Sequence, residues 1–276
     1  SLESLDVRDY FASIGIYFIA AYRTFPSATR ILISLQRLKF ATPFMHNVWS
    51  QFNNKKINAQ KELTSYEKIK LNFNSKIEIK NFSFFFQNKK NKILDNLNIN
   101  FEIGKIYGIK GPSGGGKTTL LNILSGLIYP KNGSLLIDSI EIDFNNLKKY
   151  QKFISYVPQS TFLFDASIAQ NINFNLDEKN PKKIEKINKL INKLSLDEKI
   201  SQLKDGVNTR VGERGVNLSG GQIQRIGIAR ALYHEPKLLI LDESTNAIEK
   251  DIEEKVVSYL STIKKDKIII IAAHRE

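Results

Sequence analysis

Residues 111–119 read Gly-Pro-Ser-Gly-Gly-Gly-Lys-Thr-Thr, directly behind the apolar run KIYGIK and directly before the helix-like LLNILSGL. Strand, glycine-rich loop and helix follow one another in the pattern G-x-x-x-x-G-K-T, and no other feature of the chain constrains its fold as much. The glycines Gly111, Gly114, Gly115 and Gly116 let successive N–H groups curl toward one point, and the helix start behind them adds partial positive charge. A merely tight turn would need neither Lys117 nor Thr118. The Lys117 ammonium suits β- and γ-phosphates, and the Thr118 hydroxyl suits Mg2+. Pro112, Ser113 and Thr119 complete the loop as candidate ATP contacts.

About a hundred residues later Leu-Ser-Gly-Gly-Gln opens a second helical stretch at 218–222. The first N–H groups of a helix lack intrahelical acceptors, so Ser219, Gly220 and Gly221, with Gln222 behind them, form a second candidate anion site. Two phosphate-recognising helix starts in one chain suggest that each ATP is shared between two domains. Between that site and the C-terminus runs Leu-Leu-Ile-Leu-Asp-Glu, 238–243, an apolar strand ending in two acids. A carboxylate at a strand's carboxyl end beside a phosphate loop can hold Mg2+, which is the role expected of Asp242. Glu243 is placed to polarise an attacking water as general base.

From Lys76 onward strand-like runs alternate with helical patterns, the signature of an α/β domain. Strands are expected at Lys76–Lys80, Phe82–Phe86, Ile93–Ile103, Phe153–Val157, Lys237–Leu241 and Ile268–Ala272, and helices at Lys117–Leu127 and within Asp177–Leu203. A chain of 276 residues has room for one large domain or two modest ones. It has no cysteine and three histidines, which excludes disulfides and thiolate metal sites. The net charge of +13 comes mostly from scattered Lys rather than a compact basic block, so no nucleic-acid partner is expected.

The first 75 residues have a different texture. The uncharged run Tyr10–Tyr22 spans 13 residues, short of the roughly 20 that a membrane-spanning helix needs. Counting past Arg23 to Thr29 brings it near that length, with Pro26 as an interruption. Arg23, Arg30 and Arg37 recur every seventh residue, which returns each to within about 20° of the last and makes one basic stripe on a helix. Such a stripe is either a solvated or snorkelling face or the lining of a pathway for an anionic substrate. Residues 51–75, rich in Asn and Lys, read as a linker or an irregular connecting helix. No cleavable signal pattern is visible; the chain begins at Ser1 without Met and stops at Glu276 directly after a motif, so it reads as part of a longer polypeptide.

Taken together, the motifs over 76–276 resemble the nucleotide-binding domain of ATP-binding cassette (ABC) transporters. The resemblance implies a P-loop NTPase α/β core with an antiparallel β layer and a helical subdomain near 162–225. It implies ATP and Mg2+ as cofactors and a second nucleotide-binding domain as partner, expected as a homodimer. It also gives roles to residues that are silent alone. Gln159, in Tyr-Val-Pro-Gln, contacts Mg2+ and senses the membrane domain. His274 contacts the γ-phosphate, and Phe86 stacks on adenine where Tyr is more usual. Val211-Gly212-Glu213-Arg214-Gly215 resembles the loop by which exporters meet their transmembrane part. The sequence departs from the family at Ser244–Glu249 (STNAIE), where Glu249 replaces an Asp that communicates across the dimer.

The same resemblance makes residues 1–50 the last transmembrane helix of an exporter with its cytoplasmic extension, and 51–75 the linker. The string Ala20–Phe40 is similar to flippases of lipid-linked oligosaccharides, whose pyrophosphate would suit Arg23 and Arg30. What is expected is therefore an ATP-hydrolysing exporter subunit in the inner membrane, multi-pass with its own transmembrane domain, its ATPase domain cytoplasmic and a membrane lipid or lipid-linked substrate as cargo. Other lipids, peptides or drugs are alternative cargoes. A soluble ABC-type ATPase acting on DNA is the alternative of another class. It is disfavoured because only 42 positions separate Lys117 from Gln159, with no inserted coiled coil.

Overall fold

The computed structural model describes the backbone of residues 3–65, 71–85, 93–112, 114–128, 132–174, 180–212 and 218–273. The chain divides into two compact units, Ser1–Glu67 and Lys68–Glu276.

The first unit is one helix, α1, Glu3–Ser65, which runs through Pro26 and Pro43. Each proline removes an N–H from the ladder. Near Pro26 the hydroxyl of Thr29 donates to the carbonyls of Phe25 (3.2 Å) and Pro26 (2.9 Å), and that of Thr24 to Ala20 and Ala21. These threonine hydroxyls bond back to carbonyls of their own helix on either side of Pro26. Large apolar side chains stay exposed along the unit, among them Tyr10, Phe11, Phe18, Phe25, Phe40 and Trp49. Among the described residues no helix is long and apolar enough to cross a membrane. The arginines that make the stripe, with the Ser and Thr between them, dilute the apolar run.

The second unit is layered. β1 (Lys76–Phe84) and β2 (Leu94–Glu102) pair antiparallel, and β3 (Ile106–Lys110) leads into the phosphate loop and α2 (Lys117–Leu124). β4 (Asn132–Ile137) and β5 (Ile140–Glu141) complete an antiparallel sheet in the order β2-β1-β4-β5. After α3 (Leu147–Gln151) come β6 (Ile154–Val157), β7 (Ala166–Ser167), α4 (Ile168–Asn173), α5 (Pro181–Lys193) and α6 (Asp197–Ser201). β8 (Arg210–Val211), α7 (Gly220–Tyr233), β9 (Leu238–Asp242), α8 (Lys250–Ile263) and β10 (Ile268–Ala273) close the chain. β3-β10-β9-β6 form a parallel sheet, and β7 and β8 pair antiparallel beside the small helices.

Period-two alternation explains the layering. Leu239, Leu241 and Ile269 join one core with α4, α5, α7 and α8; Leu238, Ile240, Ile268 and Ile270 join the other with α2 and the antiparallel sheet. β9 is therefore buried on both faces and reads as an unbroken apolar run. Each of its four aliphatic side chains stabilises by about 1.5–3 kcal/mol.

The expected strand Lys76–Lys80 and the first part of the expected strand Phe82–Phe86 are one strand, β1, which ends at Phe84 and whose register shifts at Asn81 (φ 49°). The bulge puts Phe82 back on the face of Ile77 and Ile79, and all three are buried. Among the described residues of the charged helical zone Asp177–Leu203 are two helices, α5 and α6, broken at Ser195 (φ 54°). Helices α4, α5 and α6 all fall within 162–225.

Candidate functional site

The site gathers where β3, β6 and β9 end and α2 begins. Gly116 is the N-cap of α2 in the left-handed region (φ 85°), and no side chain caps the helix. A β-carbon there would lie 2.9 Å from Ile93 Cγ2, so glycine is required by both torsion and space. Gly115 N–H donates to Pro112 O at 3.1 Å and closes the loop. The N–H groups of Lys117, Thr118 and Thr119 have no intrahelical acceptor, as at any helix start, and aim partial positive charge outward.

Lys117 is buried. Its Nζ donates to the carbonyls of Gly111 (2.8 Å) and Pro112 (3.2 Å) and stands 3.9 Å from Glu243 Oε1. At the end of β9, Asp242 accepts from Thr118 Oγ1 at 3.2 Å and from Tyr156 OH at 2.8 Å, both on Oδ2. Burial pushes the Tyr156 phenol well above its usual range, and the hydrogen bond to Asp242 adds to it, so this group is a donor throughout the physiological range.

Glu243 would face the opposite side of the sheet by simple alternation. Instead it leaves the strand at φ 50°, while its N–H donates to Ala272 O at 3.0 Å. A non-glycine residue held there carries strain of about 1–3 kcal/mol. That kink sets its carboxylate beside Lys117, where Oε2 accepts from Gln159 Nε2 at 2.8 Å. The structure therefore brings Lys117, Thr118, Gln159, Asp242 and Glu243 together. Phe86, Ser113 and His274, with the loop residues Glu213–Gly215, lie outside the described residues.

The donor set fits Mg2+. A hydroxyl, a carboxylate and a side-chain amide are hard oxygen ligands. Among the described residues no group of three His, Asp or Glu side chains gathers as a metal cage. One or two protein oxygens completed by phosphate and water are the usual environment of Mg2+ in nucleotide sites.

The second glycine-rich helix start is built differently. Ser219 is the N-cap of α7, its Oγ accepts from Gln222 N–H at 3.3 Å, and Ser219 N–H donates to Gln222 Oε1 at 2.9 Å. This capping box leaves the N–H groups of Gly220 and Gly221 to any outside anion. Gly221 cannot carry a β-carbon, which would meet Ala247 O at 2.7 Å.

Three side chains that the motifs did not single out support these parts. Tyr156 anchors Asp242. Gln224, buried, donates to Gln159 O (3.4 Å) and accepts from Ala247 N–H (3.1 Å), tying two site loops to α7. Arg225 donates to Gly221 O, Leu194 O and Ser195 O, fastening the start of α7 to the end of α5; burial lowers its pKa, partly offset by Glu249 and Asp197. Glu249 itself is the N-cap of α8 but makes no side-chain cap hydrogen bond. On α1, Arg23 and Arg30 are exposed.

A parallel sheet with a phosphate loop, a carboxylate pair at the adjoining strand end and a second glycine-rich helix start define a P-loop nucleotide-binding domain. Residues 94–246 match the ABC transporter family, and the chain belongs to it. A Rickettsia felis protein named for export ATP-binding/permease function is 35% identical over 268 residues, 96% of this chain and 42% of its own length. ABC transporter B family member 29, chloroplastic, of Arabidopsis thaliana is 39% identical over 199 residues, 72% of this chain and 31% of its own. A solved bacterial Atm1-family ABC exporter with ATP bound superposes with a TM-score of 0.67 at 30% identity, covering 74% of this chain and 35% of that one. The chain thus spans less than half the length of these relatives.

Proposed function

We propose that the chain is the C-terminal part of an ATP-hydrolysing ABC exporter subunit. The observation that carries this reading is the cluster of Lys117, Asp242 and Glu243, buried together at the strand ends behind a bare helix start. Lys117, now satisfied by loop carbonyls, would turn to the β- and γ-phosphates of ATP, with the N–H groups of 114–119 on their oxygens. Thr118, Asp242 and Gln159 would hold Mg2+, which would supply neutralisation of phosphate charge. Glu243 accepts a proton from a water as that water's oxygen bonds to the γ-phosphorus; the bond to the bridging oxygen breaks and ADP leaves with the electron pair. Phe86 on adenine and His274 on the γ-phosphate are assigned by motif alone. Ser219, Gly220 and Gly221 of a second copy would close the site from the far side, so that ATP favours the paired form over the open one.

For the rest of the protein, the relatives support an exporter. We read residues 1–50 as its last transmembrane helix, covered by lipid and neighbouring helices, in an inner membrane with the ATPase domain in the cytoplasm. The exposed apolar side chains of α1 support that reading. The Arg23 and Arg30 stripe favours an anionic, lipid-linked cargo such as a lipid-linked oligosaccharide over neutral drugs.

Two measurements test these levels separately. Glu243→Gln is expected to bind ATP as the parent does while losing about 100-fold or more of hydrolysis, and to accumulate as an ATP-bound pair on size-exclusion chromatography. Near-parental turnover would remove Glu243 from its role. Neutralising Arg23 and Arg30 in the full-length transporter is expected to reduce transport of a pyrophosphate-linked lipid several-fold with ATPase activity retained. Unchanged transport would leave the stripe as a snorkelling face.

A further inference from the structure

We propose that Tyr156 is a positioning residue that holds Asp242 in the rotamer needed for a divalent cation bound with nucleotide; the inference rests on the hydrolase reading above. β6 lies parallel to β9 with Tyr156 opposite Ile240. Ile240 and Asp242 share a face of β9, two residues or about 6.6 Å apart. A phenol leaning along its strand spans that distance, and the Tyr156 hydroxyl meets Asp242 Oδ2 at 2.8 Å. Valine, leucine or phenylalanine would pack there without reaching the acid as a donor.

Asp242 has two anchors on the same oxygen, and they differ in kind. Thr118 belongs to the helix that carries the phosphate loop, and its hydroxyl is the one expected to face the cation. Tyr156 belongs to the sheet, with its ring packed against the core formed by Leu238, Ile240 and the antiparallel layer. It is therefore the anchor that does not depend on the nucleotide loop. Loading Oδ2 with two donors leaves Oδ1 as the oxygen free to turn outward. Removing the phenolic hydroxyl leaves the carboxylate hinged on Thr118 alone. A ligand oxygen so loosened binds its metal more weakly, typically by 10-fold or more when such a supporting hydrogen bond is lost. Nucleotide binding without a cation makes no use of that oxygen.

The test uses the full chain carrying Glu243→Gln, so that nucleotide persists, and a fluorescent ATP analogue as probe. Free Mg2+ is titrated at fixed nucleotide, and nucleotide affinity is measured separately in EDTA. Y156F is expected to raise the half-saturating Mg2+ about 10-fold and to leave the EDTA affinity and the melting temperature unchanged. Y156L, which also loses the ring, is expected to show the same Mg2+ shift with a lower melting temperature. A midpoint for Y156F within twofold of its parent overturns the inference, as does a shift seen only in Y156L, which would trace to ring packing. If the Glu243→Gln parent binds nucleotide equally with and without Mg2+, the hydrolase reading fails first, and that failure is visible before Tyr156 is changed.

Discussion

Two glycine-rich helix starts in this chain solve the same electrostatic problem in opposite ways. At α2 the N-cap is Gly116, left-handed and without any side-chain cap, so the N–H groups of Lys117, Thr118 and Thr119 are offered outward. At α7 the N-cap is Ser219, which, with Gln222, closes a complete capping box; α4 does the same with Ser167 and Gln170. Helices α3, α6 and α8 also lack a side-chain cap, and what sets α2 apart is its left-handed glycine N-cap behind a glycine-rich loop. A glycine N-cap forgoes only about a few tenths of a kcal/mol relative to Ser or Asp. On the function proposed above, a phosphate would supply the missing cap. The α7 start is already stable alone, so an anion there adds contacts to a finished structure. The difference suggests a primary site at α2 and, at α7, a rigid surface that completes another copy's site.

Gly116→Ala puts that comparison under the greatest strain. A methyl group forces a left-handed L-residue, at about 1–2 kcal/mol, and approaches Ile93 at 2.9 Å. Melting is expected to fall by about 2–4 °C per kcal/mol lost. Nucleotide affinity of the unpaired chain, followed by fluorescence of a bound ATP analogue, is expected to fall with it, because loop and helix start shift together. Parental affinity in G116A would show that the bare start is not what holds the phosphates.

How much of this was legible in the sequence differs between the same regions. The phosphate loop, the glycine-rich helix start at 219–221 and the acid pair at the end of β9 are local patterns, each contained in fewer than ten consecutive residues, so chain order alone exposed them; the capping box of Ser219 and Gln222 came only with the structure. The kink at Glu243 was not legible: alternation sends it away from Lys117, and only its φ of 50° reverses that. Tyr156 and Gln224 were silent because their roles depend on the register of β6 against β9 and on the docking of α7, which one sequence does not encode locally. The bulge at Asn81 divided one strand into two apparent ones for the same reason: the pattern slips a residue while the hydrogen-bonded ladder carries on. In α1 the limit was composition. A helix studded with Arg, Ser and Thr is plain as a helix, while its apolar density leaves the surroundings of its exposed Phe and Tyr side chains to be inferred from relatives.

Ser219→Ala probes the other side of the comparison with a smaller expected effect. It removes the hydroxyl that accepts from Gln222 N–H, while the backbone N–H of residue 219 still donates to Gln222 Oε1 and only half of the capping box is lost. The cost to stability is about 1 kcal/mol. Because Arg225 still clamps Gly221 to the end of α5, α7 keeps its place and only its first turn loosens. Affinity of the unpaired chain for a fluorescent ATP analogue is therefore expected to stay parental, in contrast to G116A. What is expected to weaken is the ATP-dependent pairing of a hydrolysis-blocked protein, measured by analytical ultracentrifugation, since the N–H groups of Gly220 and Gly221 are then presented from a frayed turn. Equal loss of nucleotide affinity in S219A and G116A would mean that both helix starts grip the same chain's ATP, and the division between a receiving start and a completing one would have to be abandoned.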